Sequence, residues 1–145
     1  MSFLEDDERG SLVPFVAAAA VFALVVVGVA VLTLTSGDGL TEEQRVGRAA
    51  VGQNDALQRQ NYGDYQRYTC VSEQGTEANI IGAQQESVRQ HGDRYVDDVT
   101  AVTIDGDRAT ATVRYHYEKE PNGKGSTPLT FARQDGQWKV CSTYR

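Results

Sequence analysis

The chain has 145 residues, with Lys+Arg 14 and Asp+Glu 20, for a formal net charge of −6. So acidic a chain lacks the electrostatic footprint that a phosphate backbone requires, which sets nucleic acid aside as a partner. Two Cys and two His are too few for a cysteine-rich scaffold or a Cys/His zinc cluster, and neither a metal nor a cofactor is expected.

Residues 1–11 form a short acidic tail. No charged residue then occurs between Arg9 and Asp38, and the stretch from Leu12 to Thr35 is almost wholly apolar. At about 1.5 Å per residue this run reaches about 36 Å as a helix, against about 30 Å of hydrocarbon. A helix also satisfies every backbone group inside lipid. Pro14 falls in the first turn, where its missing N–H costs little. The competing reading is a cleaved signal peptide. The run is longer than the usual apolar core of such a peptide, and the residues before it are acidic where a signal peptide is basic. A retained transmembrane helix over 12–35 is therefore expected, with residues 36–40 as a hinge. With Arg9 on one side and Arg45 and Arg48 on the other, the positive-inside count does not set the orientation.

Residues 41–145 read as one domain. Thr41 and Gln44 have the spacing of a capping box, predicting a helix to about Asn61 with Val46, Ala49, Ala50 and Leu57 near one face. A short helix through Tyr65 and Tyr68 leads to Cys70. Tyr62, Tyr65 and Tyr68 recur at spacing three, the pattern of an amphipathic stripe whose rings pack and whose hydroxyls reach water, with a ligand-facing tyrosine row as the alternative. Thr76 can cap a third helix through Ile80, Ile81 and Val88. Arg89 and His91 suit its last turn and Gly92 its end, which gives His91 a structural reason to exist.

From Arg94 the hydrophobic period changes to two. Tyr95 to Ile104 reads as a strand, and Asp105-Gly106-Asp107 as a tight turn. Ala109, Ala111, Val113, Tyr115 and Tyr117 then alternate with Thr110, Thr112, Arg114, His116 and Glu118, giving one apolar and one wet face. Pro121 to Gly125 reads as a second turn, Leu129 and Phe131 as one face of a third strand, Asp135-Gly136 as a third turn, and Trp138 and Val140 as one face of a fourth strand. Helices followed by an antiparallel meander make the fold class α+β.

Cys70 and Cys141 allow two readings. They are either free thiols in a cytosolic domain or a disulfide in an oxidising compartment. A bond between them would close about 72 residues, a constraint on the order of 4 kcal/mol in the chain-entropy model. Cys141 alternates with Val140 and so faces away from the helix-covered side. The pairing thus works best if residues 69–72 run along the edge of the last strand. With the bond, the domain lies outside the cytoplasm and the N-terminus inside.

No nucleophile elbow, zincin, P-loop, dinucleotide or CxxC motif is present. Asp97 and Asp98 are adjacent in a strand and are expected on opposite faces, which excludes a carboxylate dyad. His116 lies between Arg114 and Glu118, a pattern usual for an exposed charge ladder. No Asn-x-Ser/Thr occurs.

The segments Asn61 to Tyr65 with Cys70, Asp105 to Ala109, and Gln134 to Cys141 resemble the membrane-anchored nuclear transport factor 2-like domains of actinobacterial cell envelopes, similar to mycobacterial envelope accessory proteins. The resemblance covers about residues 40–145. It implies a sheet curled as a cone around about three helices, with Val113, Tyr115, Tyr117, Phe131, Trp138 and Val140 lining the interior. Enzymes of the isomerase and cyclase type place an Asp/His set there. This inward set has no carboxylate, so no catalytic residue is assigned and an enzyme is not expected.

The expectation is a single-pass protein anchored in the lipid bilayer, with an extracytoplasmic domain acting as a non-catalytic binding or assembly module. A protein partner or a second copy docks on it. The alternative is a small apolar ligand held in the cone, with an isomerase- or cyclase-type enzyme ranking third.

Overall fold

The computed structural model describes residues 39–143. The acidic tail, the apolar run 12–35 and most of the hinge lie outside the described residues. Among the described residues no helix is long and apolar enough to cross a membrane.

Helix α1 spans Glu42–Gln58. The Thr41 hydroxyl accepts from the Gln44 N–H at 3.2 Å, and the Gln44 side-chain oxygen accepts from the Thr41 N–H at 2.9 Å. This reciprocal box satisfies two donors that the first turn leaves open. Helix α2 (Tyr62–Arg67) starts at Asn61, whose side chain accepts from the Asp64 N–H. A single 3₁₀ turn, Val71–Glu73, follows. Helix α3 (Glu77–His91) is capped by Thr76 at one end and closed at the other by Gly92 at φ 76, a backbone conformation that favours glycine.

Four strands complete the domain: β1 (Arg94–Asp105), β2 (Arg108–Tyr117), β3 (Glu120–Gln134) and β4 (Gln137–Val140). They lie in the order β1-β2-β3-β4, each antiparallel to its neighbour. The α+β class and the four-stranded meander are as expected. The turn placement differs at one point. Glu118 and Lys119 make the β2–β3 turn, and Pro121 to Gly125 belong to β3. Tyr117 pairs with Glu120 and Tyr115 with Gly125, so Pro121 to Lys124 bulge opposite His116. Turn-forming residues here build a bulge because the strand has already reversed two residues earlier.

The core is continuous from α1 to the sheet. Val46, Ala49 and Ala50 of α1 pack with Ala109, Ala111 and Val113 of β2, Leu129 and Phe131 of β3, and Trp138 and Val140 of β4. The small residues on α1 let its backbone approach the sheet closely. At Gly52 the Tyr68 ring comes so near that a Cβ there would lie 2.6 Å from it.

The helical half meets the sheet at its far edge. Thr69 forms a parallel bridge to Val140. The Cys70 N–H donates to the Val140 carbonyl and the Val140 N–H to the Tyr68 carbonyl, both at 2.8 Å. Cys70 and Cys141 are disulfide-bonded, with Cα atoms 4.9 Å apart and a sequence separation of 71. Residues 68–70 therefore cover the free side of β4, the placement the pairing requires.

Two fold predictions follow from these contacts. Cys70→Ser with Cys141→Ser should lower unfolding free energy by about 4 kcal/mol, read as a reduced urea midpoint, with a steeper slope because the unlinked chain expands on unfolding. Thr41→Ala should cost about 1 kcal/mol in the same assay.

Candidate functional site

The six residues expected to line the cone divide into two groups. Val113, Phe131, Trp138 and Val140 are at most 5 % exposed and belong to the packed core. Tyr115 and Tyr117 are half-buried, with rings edge-on at 5.7 Å. The register separates the groups. Phe131 pairs with both Ala109 and Val140, whereas Tyr117 ends β2 at the opposite end of the strand. Eight residues of strand at about 3.3 Å each put about 26 Å between those positions. Trp138 and Tyr117 therefore do not share one pocket wall.

The tyrosine end holds a buried polar cluster. Arg94, the only charged side chain among the buried residues described, is 9 % exposed. Its Nε donates to Asn54 Oδ1 at 2.8 Å, and Asn54 Nδ2 donates back to the Arg94 carbonyl at 3.0 Å. Gln58 Oε1 accepts from the Arg94 N–H at 3.3 Å and from Gln84 Nε2 at 3.0 Å. The guanidinium lies 6.0 Å from the centre of the Tyr115 ring. Tyr115 can occupy this place because β3 offers Gly125 beneath it, where a Cβ would stand 2.6 Å from the ring. His91 closes the end, its ring 4.9 Å from that of Tyr117. A buried cation held by neutral amides and bordered by aromatic rings is chemistry suited to a carboxylate or phosphate group.

The opposite end is tied by a different polar group. Glu42 Oε2 accepts from Trp138 Nε1 at 2.8 Å and from Arg133 Nη2 at 2.7 Å. The Arg133 guanidinium also stacks 4.7 Å over the Trp138 ring. The indole hydrogen bond is the main reason that the Glu42 carboxyl sits below the usual glutamate range, with Arg133 adding to it. This carboxylate is a structural clamp between α1 and β4.

A third cluster lies on the outer face of the sheet. The Asp97 carboxylate accepts from His116 Nδ1 at 2.8 Å and from Lys124 Nζ at 2.9 Å. Tyr95 stacks on His116 with ring centres 5.2 Å apart. Lys124 and then His116 hold the Asp97 carboxyl below the usual aspartate range. The expected ladder with Arg114 and Glu118 is thus replaced by cross-strand partners. Two bulges make this arrangement, one at Asp97 in β1 and one carrying Lys124 in β3. The β1 bulge also breaks the simple alternation expected of Asp97 and Asp98, and both are exposed.

The tyrosine stripe is structural. Tyr65 is buried, the Tyr62 hydroxyl donates to the Gly75 carbonyl at 2.7 Å, and the Tyr65 hydroxyl donates to the Glu73 carbonyl at 3.3 Å. Beside the disulfide, Glu73, Ser126, Thr127, Pro128, Cys141 and Ser142 line a groove of about 460 Å³. Among the described residues no cluster of His, Cys, Asp and Glu can hold a metal ion.

Arg94, Asn54, Gln58 and Gln84 are functional candidates that motif reasoning passes over. One signal was present. Val46, Ala50, Asn54 and Gln58 recur at spacing four, so the buried stripe of α1 changes from apolar to amide along its length. That change marks where the core gives way to the Arg94 cluster.

The order of three helices and a four-stranded meander, with the second helix leading into the edge of the last strand, is that of the nuclear transport factor 2-like class. Within that class the chain belongs to the family described as low molecular weight antigen MTB12, C-terminal domain, which matches residues 55–144. No curated protein matches the chain. Among solved structures it is similar to a variant of Rv3472, a protein of unknown function from Mycobacterium tuberculosis, at TM-score 0.50 and 16% identity over 68% of this chain and 66% of that one. It also matches a candidate NTF2-like transpeptidase from Campylobacter jejuni, at TM-score 0.46 and 17% identity over 65% and 94% of the two chains. A candidate dehydratase of the NTF2-like family from Streptomyces avermitilis matches at TM-score 0.47 and 14% identity over 67% and 88%. At these identities the likeness is one of fold alone.

Asn54→Ala removes the partner of both the Arg94 side chain and its carbonyl, and should cost about 1–3 kcal/mol in chemical denaturation. The two depressed carboxyls set an acid dependence. Their contribution is fully present above the unfolded carboxyl pKa of about 4 and is lost as pH falls through the lower folded values. Glu42→Gln combined with Asp97→Asn should therefore flatten the fall in thermal midpoint below about pH 4, relative to the parent chain.

Proposed function

We propose that the chain is a single-pass membrane protein whose C-terminal domain is an extracytoplasmic binding and assembly module, working through protein contacts and not through catalysis. The observation that carries this reading is the filled interior. Four of the six residues expected to line a chamber, Val113, Phe131, Trp138 and Val140, are packed against Val46, Ala49 and Ala50. Interior space of this kind supports a rigid docking body better than a reaction vessel. The disulfide supports an oxidising compartment, since such bonds are rare in the cytosol. The apolar run 12–35 supports a tether in the bilayer, and the resemblance noted above makes the actinobacterial cell envelope the expected setting.

A second reading keeps one specific observation. The Arg94 cluster, with the half-buried Tyr115 and Tyr117, has the chemistry of a small site for an anionic amphiphile. An isomerase or cyclase has less support, because no carboxylate is found among the buried residues described and the imidazole at the tyrosine end, His91, packs on Tyr117.

The experiment is thiol labelling in intact cells with a membrane-impermeant maleimide, joined to native mass spectrometry of the full chain. The proposal expects labelling of Cys70 and Cys141 only after an impermeant reductant, and a protein mass without a retained small molecule. Labelling that appears without reductant, and only after lysis, places the domain in the cytoplasm and overturns the envelope reading. A retained amphiphile lost in Arg94→Met moves the second reading ahead of the first.

A further inference from the structure

Helix α3, like the short helix α2, lies outside the core that ties α1 to the sheet. The core draws on α1 and all four strands, and on no residue of α3. Gln84 is the only buried residue among the fifteen of α3, and Ile80, Ile81 and Val88 are half-buried. Its cross-links to α1 and the residues just after it are amide pairs. Gln84 Nε2 donates to Gln58 Oε1 and Gln85 Nε2 to Gln60 Oε1, each at 3.0 Å. Such pairs exchange readily for water, whereas apolar packing does not. Both ends of the helix are bracketed by glycines in the left-handed region, Gly75 at φ 58 and Gly92 at φ 76. Each end is also pinned. The Tyr62 hydroxyl holds the Gly75 carbonyl, and Lys119 holds the carbonyls of Arg89 and His91.

We infer that α3 is a hinged cover that swings open on Gly75 and Gly92 while α1 and the sheet stay folded, and that the Arg94 cluster is what it uncovers. Gln58 joins cover and cluster, since its Oε1 serves both Gln84 and the Arg94 N–H. Lifting α3 breaks the Lys119 bonds to the Arg89 and His91 carbonyls and removes the Gln84 amide from Gln58 and the His91 ring from Tyr117. The Arg94 cluster is then reached by solvent from the side of Gln58 and Tyr117. A segment with few buried apolar contacts opens locally, below the free energy of global unfolding. Hinges of this kind are a few terminal residues that absorb the backbone change. The inference does not depend on whether the domain acts through a protein or a small molecule.

Hydrogen exchange on the full chain tests it, together with phenylglyoxal modification of Arg94. Amides in the middle of α3 should exchange about 100-fold faster than those of α1 between Val46 and Ala56. Gln84→Ala should speed α3 exchange about fivefold further and raise Arg94 modification in parallel, with α1 and β2 unchanged. Alanine is the better helix former, so weaker helix propensity cannot account for such a change. The inference is overturned if α3 and α1 exchange at the same rate in one cooperative step. It is equally overturned if Arg94 reacts only under conditions that expose the amides of β2. The parent chain alone decides the first point, so a poorly folding Gln84 variant does not protect the inference.

Discussion

Strand β4 is four residues long, yet the two halves of the domain are joined through it. On one side Val140 pairs with Phe131 of β3, and on the other it exchanges hydrogen bonds with Tyr68 and Cys70. One residue later the Cys70–Cys141 bond fixes that junction covalently. Two residues earlier Trp138 donates to Glu42 at the start of α1. A strand so short has little ladder energy of its own. It is held because its alternate residues, Trp138 and Val140, are buried under α1 and because its outer edge is covered by residues from the helical half. Remove either support and the sheet has an open edge beside an unanchored helix pair.

Much of this was legible in the sequence. Period-two alternation in β2 and the glycine turns at Gly106 and Gly136 required no tertiary information, and the Thr41 box announced α1. The second turn was misplaced for a physical reason. Pro121, Asn122 and Gly123 have the composition of a turn, but composition cannot tell a reversal from a bulge within a strand that has already reversed at Glu118 and Lys119. The candidate site was less legible. Arg94, Asn54, Gln58 and Gln84 come from three elements, α1, α3 and β1, and none belongs to a motif. Only the drift of the α1 stripe from alanine to amide hinted at it. The partners of His116 were hidden for a similar reason. Its neighbours along the strand are Arg114 and Glu118, whereas bulges in both flanking strands supply Asp97 and Lys124.

The polar groups of the domain fall into distinct roles. Glu42 with Trp138 and Arg133 is a fastener whose members face one another. Asp97 with His116 and Lys124 neutralises charge on an exposed sheet face. The Arg94 cluster differs in that its charge is buried among neutral amides beneath the least firmly packed helix. Fastening, neutralisation and burial under a cover are separable properties. Only the last of them joins an electrostatic feature to a means of reaching it.

The lateral closure of β4 also constrains how the chain is made. Tyr68 to Cys70 leave the ribosome long before Val140 and Cys141, which follow at a separation of 71 residues. At about 5–20 residues per second, that interval lasts about 4–14 s. Throughout it Cys70 is a lone thiol and the helical half has no sheet edge to lie against. The fold is therefore closed only once Val140 and Cys141 have been made, well after the helical half that they join.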